Sequence, residues 1–377
     1  MKKLLAGAVL ACAAAAARGE TYRLNSPGDN AVGRTSFNAI GCWVLDSNTS
    51  VAATEPPGPG NDYIVRGSYM LRTPNASTED HTFGGDSLTF AHDRSYIAFK
   101  GKNGVTITVP NLIFDGGYVQ NATDNTYFNL AGNITVKSGK DLRFQTVEPN
   151  TRGICVKAPI SGAGTEIWLQ LPRTNLTDNA DKWVRLEGDN SGFAGKFRAT
   201  GGGHFIVNSD AAFGAVPTTA TADAITIHGP LWIITNNLET AATRGITLPN
   251  TQNAANSATL NCYPGMRLQV NAGFTAWIRG PISGAGPIVK TGAAGAVHFT
   301  GSFANYTGAI TLGRGVAGFD GPNPVSLPNV TLDSAGLILS SNDLTVSSFV
   351  FSRGNIFAYL DDADPDEIGR ASCRERV

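Results

Sequence analysis

The chain has 377 residues, of which only 16% are charged and 44 are glycine. That charge content lies below the roughly 25% of an ordinary soluble domain and argues against a helix-rich protein, whose outer faces need Lys and Glu. A formal net charge of −1 argues against a nucleic-acid partner held by phosphate neutralisation.

The first segment, MKKLLAGAVLACAAAAARGE, reads as a secretory signal peptide over residues 1–17. Lys2 and Lys3 form its positive start, Leu4 to Ala17 its apolar stretch, and Ala15-Ala16-Ala17 a cleavage site. The stretch is too short to span a membrane. Val9-Leu10-Ala11-Cys12 is also a loose lipid-attachment motif, so a lipid anchor at Cys12 is the alternative.

Residues 18–150 read as the N-terminal β-rich part of a solenoid. Val105-Thr-Ile-Thr-Val109 alternates apolar and Thr residues, and Asn133-Ile-Thr-Val136 repeats the unit. Period-2 alternation with β-branched residues predicts strands with one buried face. Gly84-Gly-Asp86 and Asp115-Gly-Gly117 read as turns. His81 and His92, around Phe83-Gly-Gly-Asp-Ser87, read as surface residues.

Residues 151–366 carry the same unit again, as Ala224-Ile-Thr-Ile227, Gly245-Ile-Thr-Leu248, Ala309-Ile-Thr-Leu312 and Asn329-Val-Thr-Leu332. Many short, similar strands with irregular spacing predict a right-handed parallel β-solenoid, in which each coil buries its apolar face against its neighbours. At about 20–25 residues per coil, ~15 coils would stack into a rod on the order of 70 Å. A β-sandwich or jelly roll is the alternative fold. Pro159-Ile-Ser-Gly-Ala-Gly164 recurs as Pro281-Ile-Ser-Gly-Ala-Gly286, within repeat copies near 156–199 and 278–312. Gly188, Phe193 and Gly195 of the first copy match Gly301, Tyr306 and Gly308 of the second. The first copy carries an insertion within Thr165 to Asp181, expected to form a loop on one face.

The end of the chain breaks with all of this. Three Arg and two Glu crowd into Glu367–Val377, and Ile368–Val377 matches, residue for residue, the translation of a common short-read sequencing adapter. Residues 367–377 are therefore expected to be an artefact, with the natural reading frame continuing past Asp366. The remaining mature part, 18–366, has 24 basic and 28 acidic residues, a net charge of −4, and three cysteines: Cys42, Cys155 and Cys262. A Cys155–Cys262 disulfide and two buried thiols are equal alternatives.

Ile278-Arg-Gly-Pro-Ile-Ser-Gly-Ala-Gly-Pro-Ile-Val-Lys-Thr-Gly292, with Val297-His-Phe-Thr-Gly301, Asn305-Tyr-Thr-Gly308 and Ile310-Thr-Leu312, resembles the autotransporter-associated β-strand repeat. The likeness covers about 40 residues and weakens over 150–215, where Lys-Thr-Gly is missing. Lys290-Thr-Gly-Ala-Ala-Gly-Ala296 lacks the usual tight Gly-x-Gly-Thr, and no membrane barrel follows. The resemblance implies a β-helical passenger, secreted or displayed on the outer membrane of a Gram-negative type of cell, and not an enzyme. Its partners would be surface glycans or a host or neighbouring cell. An outer-membrane export partner or a missing C-terminal barrel would complete it.

No catalytic, cofactor or metal site is expected. Gly201-Gly-Gly-His204 lacks the Gly-Lys-Ser/Thr end of a phosphate loop. Asp361-Asp362 reads as part of a solvated acidic run. A carbohydrate-binding or carbohydrate-cleaving β-helix is the rival function. Binding would need exposed aromatics on one face, and Trp43, Trp168, Trp183, Trp232 and Trp277 are expected mostly in core or cap packing.

Overall fold

Alternating residues choose sides, and the sides close into a tube. In the computed structural model, which describes residues 19–28, 30–146, 152–172, 182–251, 264–292, 294–320, 325–339 and 344–358, every apolar-Thr-apolar unit is a strand whose apolar residues point inward. The signal-peptide segment, Cys12, Cys262, Asp361-Asp362 and the adapter-like tail lie outside the described residues.

The strands form three long faces. Face A is a ten-stranded parallel sheet running from Met70–Arg72 to Asn305–Tyr306. Face B starts at His81–Thr82 and ends on Leu344–Ala358. Face C starts at Thr21–Leu24 and passes through Asp62–Val65 and Ser87–Phe90. Strands such as Thr106–Phe114 and Thr126–Val136 cross from face B to face C. They join the two faces into one 21-stranded sheet. The chain visits B, C and A in turn, although among the described residues face C carries no strand between Ile160–Gly162 and Leu238–Glu239, where an isolated bridge at Phe193 and the 3-10 turn Asp210–Phe213 take its place. Among the described residues pairing is parallel throughout, apart from Thr21–Leu24 with Trp43–Leu45 and a bridge from Val44 to Ala52. The architecture is a parallel β-solenoid and not a sandwich, whose sheets would be antiparallel.

Twelve rungs of face B are described, and face C begins two rungs earlier, at Thr21–Leu24 and Asp62–Val65. Turn lengths bracket the expected about 20–25 residues: 19 from Val330 to Phe349, 22 from Leu268 to Lys290 and 36 from Trp232 to Leu268. At about 4.8 Å per strand the face is roughly 50–60 Å long. No α-helix occurs among the described residues, and none is long and apolar enough to cross a membrane.

Stacking in register builds columns of like side chains. On face B one inward column reads Phe128, Ile154, Val184, Phe205, Trp232, Leu268, Lys290, Leu312, Leu332. Each fully buried apolar member stabilises the tube by about 1.5–3 kcal/mol. Corners demand glycine: Gly132 has φ +101, and a Cβ there would stand 1.8 Å from the Val109 carbonyl oxygen.

The direct repeat behaves in an unexpected way. Gly162 bridges to Phe193 and Gly284 pairs with Tyr306, so each motif stacks on the aromatic residue one turn later. Phe193 and Tyr306 are both buried under their turns. Yet Ile160–Gly162 belongs to face C and Ile282–Gly284 to face A. The copies are locally equivalent and rotated by one face, because their hydrogen bonding depends on the next coil and not on the corner they occupy. Within the span Thr165 to Asp181 that holds the insertion, Glu166–Leu171 is a regular strand of face A, and residues 173–181 lie outside the described set.

Candidate functional site

Most residues singled out in the sequence serve turns and local bonds. His81 Nε2 lies 2.8 Å from Ser77 Oγ. The Arg94 amide donates to His92 Nδ1 at 3.1 Å. Asp86 accepts from the Gly60 amide at 2.9 Å, and a Cβ on Gly84 would stand 2.0 Å from the Pro57 carbonyl oxygen. Asp115 pairs with Lys137 at 3.2 Å. Gly201 is a corner residue at φ +109. Among the described residues, no group of three or more His, Cys, Asp and Glu could hold a metal ion.

The tryptophans divide differently from expectation. Trp43 and Trp232 are fully buried, but Trp168, Trp183 and Trp277 stand half-buried on outer faces. The alternation of Lys182-Trp-Val-Arg-Leu186 carries the signal that was missed. Val184 and Leu186 point inward, so Trp183 and Arg185 point out.

On face A the outward column reads Tyr96, Tyr118, Arg143, Trp168, Arg198, Thr226, Thr247, Ser283. Tyr96 and Tyr118 stack at 4.6 Å and 7°. The Arg143 guanidinium lies 5.2 Å over Tyr118, and that of Arg198 lies 5.4 Å over Trp168. Trp168 Nε1 donates to Thr200 Oγ1 at 2.9 Å. Arg198 is 2.9 Å from Glu166, whose carboxyl is nonetheless held above the usual carboxylate range, chiefly by burial. The column is a stacking ladder of rings and guanidinium groups.

Face B presents rings in another way. Its outward column reads Tyr127, Gly153, Trp183, His204, Leu231. A Cβ on Gly153 would stand 2.2 Å from Trp183 Cε2 and 2.3 Å from Cζ2. The indole therefore lies across the neighbouring strand, in space that only glycine leaves free, and reaches Tyr127 with ring centroids 5.5 Å apart. The ring is half-buried, and the Arg185 guanidinium lies over it, 5.8 Å from the centroid. Arg185 in turn meets Glu187 at 3.4 Å, and Asn129 Nδ2 donates to the Gly104 carbonyl at 2.9 Å. Beneath this rim Cys155 is a free, buried thiol, its pKa pushed up to about 11 by desolvation and then by Glu187. A ring lying along the sheet, with fixed hydrogen-bonding groups around it, can stack one flat ligand and orient it.

The chain matches no protein-family model, and no curated protein or solved structure matches it either.

Proposed function

We propose that the protein is an exported, surface-displayed rod that binds glycan on face B without turning it over. The observation that carries this reading is the Trp183 indole laid over Gly153 beside Tyr127. A pyranose ring offers a face of C–H groups, which complements the negative face of an aromatic ring, while its hydroxyls need polar partners at the rim. Arg185, Glu187 and Asn129 supply those partners. A stiff solenoid holds such a site away from its anchor and suits multivalent adhesion. The signal-peptide-like start and the resemblance to autotransporter-associated repeats support export through an outer-membrane partner, as a passenger.

The test is a panel of soluble and insoluble polysaccharides incubated with the full chain. Bound protein and released reducing ends are both measured. Retention on at least one polysaccharide is expected, without reducing-end release, and with at least tenfold weaker binding in Trp183→Ala. Gly153→Ala should weaken binding similarly, by lifting the indole while leaving every ligand-facing side chain chemically intact. Absence of binding across the panel, unchanged binding in both variants, or polymer cleavage would overturn the reading.

A further inference from the structure

The device on face B occurs a second time, on face C, some three to four coils further along the rod. There the outward column reads Glu239, Trp277, His298, Gly318. Trp277 and His298 have ring centroids 6.2 Å apart, with their planes within 20°. A Cβ on Gly318 would stand 2.7 Å from His298 Nδ1. The imidazole thus occupies space over a glycine of the adjacent strand, as the Trp183 indole does.

The rim is again polar and again fixed. His298 Nδ1 lies 2.7 Å from Asp320 Oδ2. In the neutral ring this bond places the proton on Nδ1, and Nε2 becomes the acceptor. Arg279 pairs with Glu239 at 2.8 Å, and the Arg279 amide donates to Thr240 Oγ1 at 3.0 Å. Trp277 and His298 are each half-buried, so part of each ring meets solvent.

We infer that Trp277, His298 and their rim form a second glycan platform of the same chemistry as the one around Trp183. This rests on the glycan-binding reading of face B. The two platforms lie roughly 15–20 Å apart along the axis at ~4.8 Å per strand, on adjoining faces of one rigid tube. A linear polysaccharide well over six sugars long that turns the corner between them would engage both, whereas a hexasaccharide occupies one platform at a time. The second contact is then intramolecular, so affinity for polymer exceeds affinity for either platform alone. The His298–Asp320 pair contributes an oriented acceptor at this platform; no proton transfer is assigned to it.

The experiment is isothermal titration of the full chain with five hexasaccharides, built of glucose, xylose, mannose, N-acetylglucosamine and galacturonate. Wild type, Trp183→Ala, Trp277→Ala and Gly318→Ala are compared, with circular dichroism as the folding control. The expected result is two sites per chain for at least one hexasaccharide, falling to one in each tryptophan variant. Gly318→Ala, which displaces the imidazole without removing it, should also leave one site. Binding to the matching polysaccharide should fall at least tenfold in Trp277→Ala. A single site in wild type, left unchanged by Trp277→Ala and Gly318→Ala, would overturn the second platform while face B stands. No heat with any hexasaccharide, together with no retention on polysaccharide, would overturn both.

Discussion

The first and last described coils treat the same problem in opposite ways. A solenoid rung buries its inward side chains only when a neighbour stacks on each side. At the N-terminal end the chain supplies that neighbour itself. Phe37, Trp43, Tyr63 and Phe83 pack edge to face at 5.0–5.3 Å, and Trp43–Leu45 turns back antiparallel onto Thr21–Leu24. Trp43 is wholly buried, and its Nε1 donates to the Ser36 carbonyl at 2.9 Å. At the far described rung Phe349 and Phe351 continue the inward columns of Val330 and Leu332. Those two neighbours are at most 2% exposed, whereas Phe349 and Phe351 are 39% and 52% exposed. Identical placement in the column therefore carries very different energy, because among the described residues Val330 and Leu332 have a rung on both sides and Phe349 and Phe351 on one.

Four substitutions, in three comparisons, sharpen that contrast, and the largest effect belongs to the plug. Trp43→Ala should lower stability by about 3–5 kcal/mol, because it opens a cavity among three rings and leaves the Ser36 carbonyl without its donor. Urea denaturation followed by circular dichroism measures it. A loss below about 1 kcal/mol would show that the aromatic cluster does not hold the N-terminal coils.

The second concerns a buried charge in the middle of a filled column. Lys290 lies between Leu268 and Leu312 with no exposed surface, and its ammonium donates to the Arg314 carbonyl. Burial lowers its pKa from 10.5 to about 8. Between those two values the unfolded chain binds more protons than the folded one, so this group makes stability rise with pH from 8 towards 10.5 and sets a constant penalty below 8. Lys290→Met should accordingly stabilise the protein at pH 7, on the order of 2 kcal/mol. Its advantage over wild type should shrink as pH passes from 8 to 10. An advantage that grows with pH, or a destabilised variant at pH 7, would contradict this assignment.

The smallest effect is expected at the open rung. Phe351→Ala should change stability by less than about 1 kcal/mol, because about half of the side chain already meets water. Leu332→Ala, one rung inward in the same column, should cost about 2–5 kcal/mol. Thermal melts of the two variants side by side test the comparison. Equal losses would mean that Phe351 is covered in solution.

Much of this architecture is legible in the sequence, and particular residues show where legibility stops. Ala224-Ile-Thr-Ile227 and Gly245-Ile-Thr-Leu248 are neighbours on face A, with Ile225 opposite Ile246 and Thr226 opposite Thr247. Ala309-Ile-Thr-Leu312 and Asn329-Val-Thr-Leu332 are neighbours on face B. Asn133-Ile-Thr-Val136 lies on face C. One local pattern thus serves three faces. Alternation states which side chains point inward but carries no information about the corner reached, which explains the one-face rotation between the two Pro-Ile-Ser-Gly-Ala-Gly copies.

Charges and rings mark the other limit. Arg244 is buried against Asp210 at 2.8 Å and donates to the carbonyls of Phe213, Gly214 and Ala215. Read alone, it is a surface arginine, because its partners come from some 30 residues away. Trp183 and Trp277 follow the alternation and could have been placed outside from it. That their neighbours make room for a ring along the sheet depends on Gly153 in the preceding coil, and on Gly318 in the coil after His298.

The sequence by itself determined the strands, their buried sides and the repeating coil, because backbone alternation and turn chemistry act over a few residues. Only the tertiary structure decided which coil stacks on which, which lysine is walled in, and which rings lie across a glycine. Those outcomes depend on register between segments some 20–36 residues apart, where contacts are set by the length of each turn and not by the residues within it.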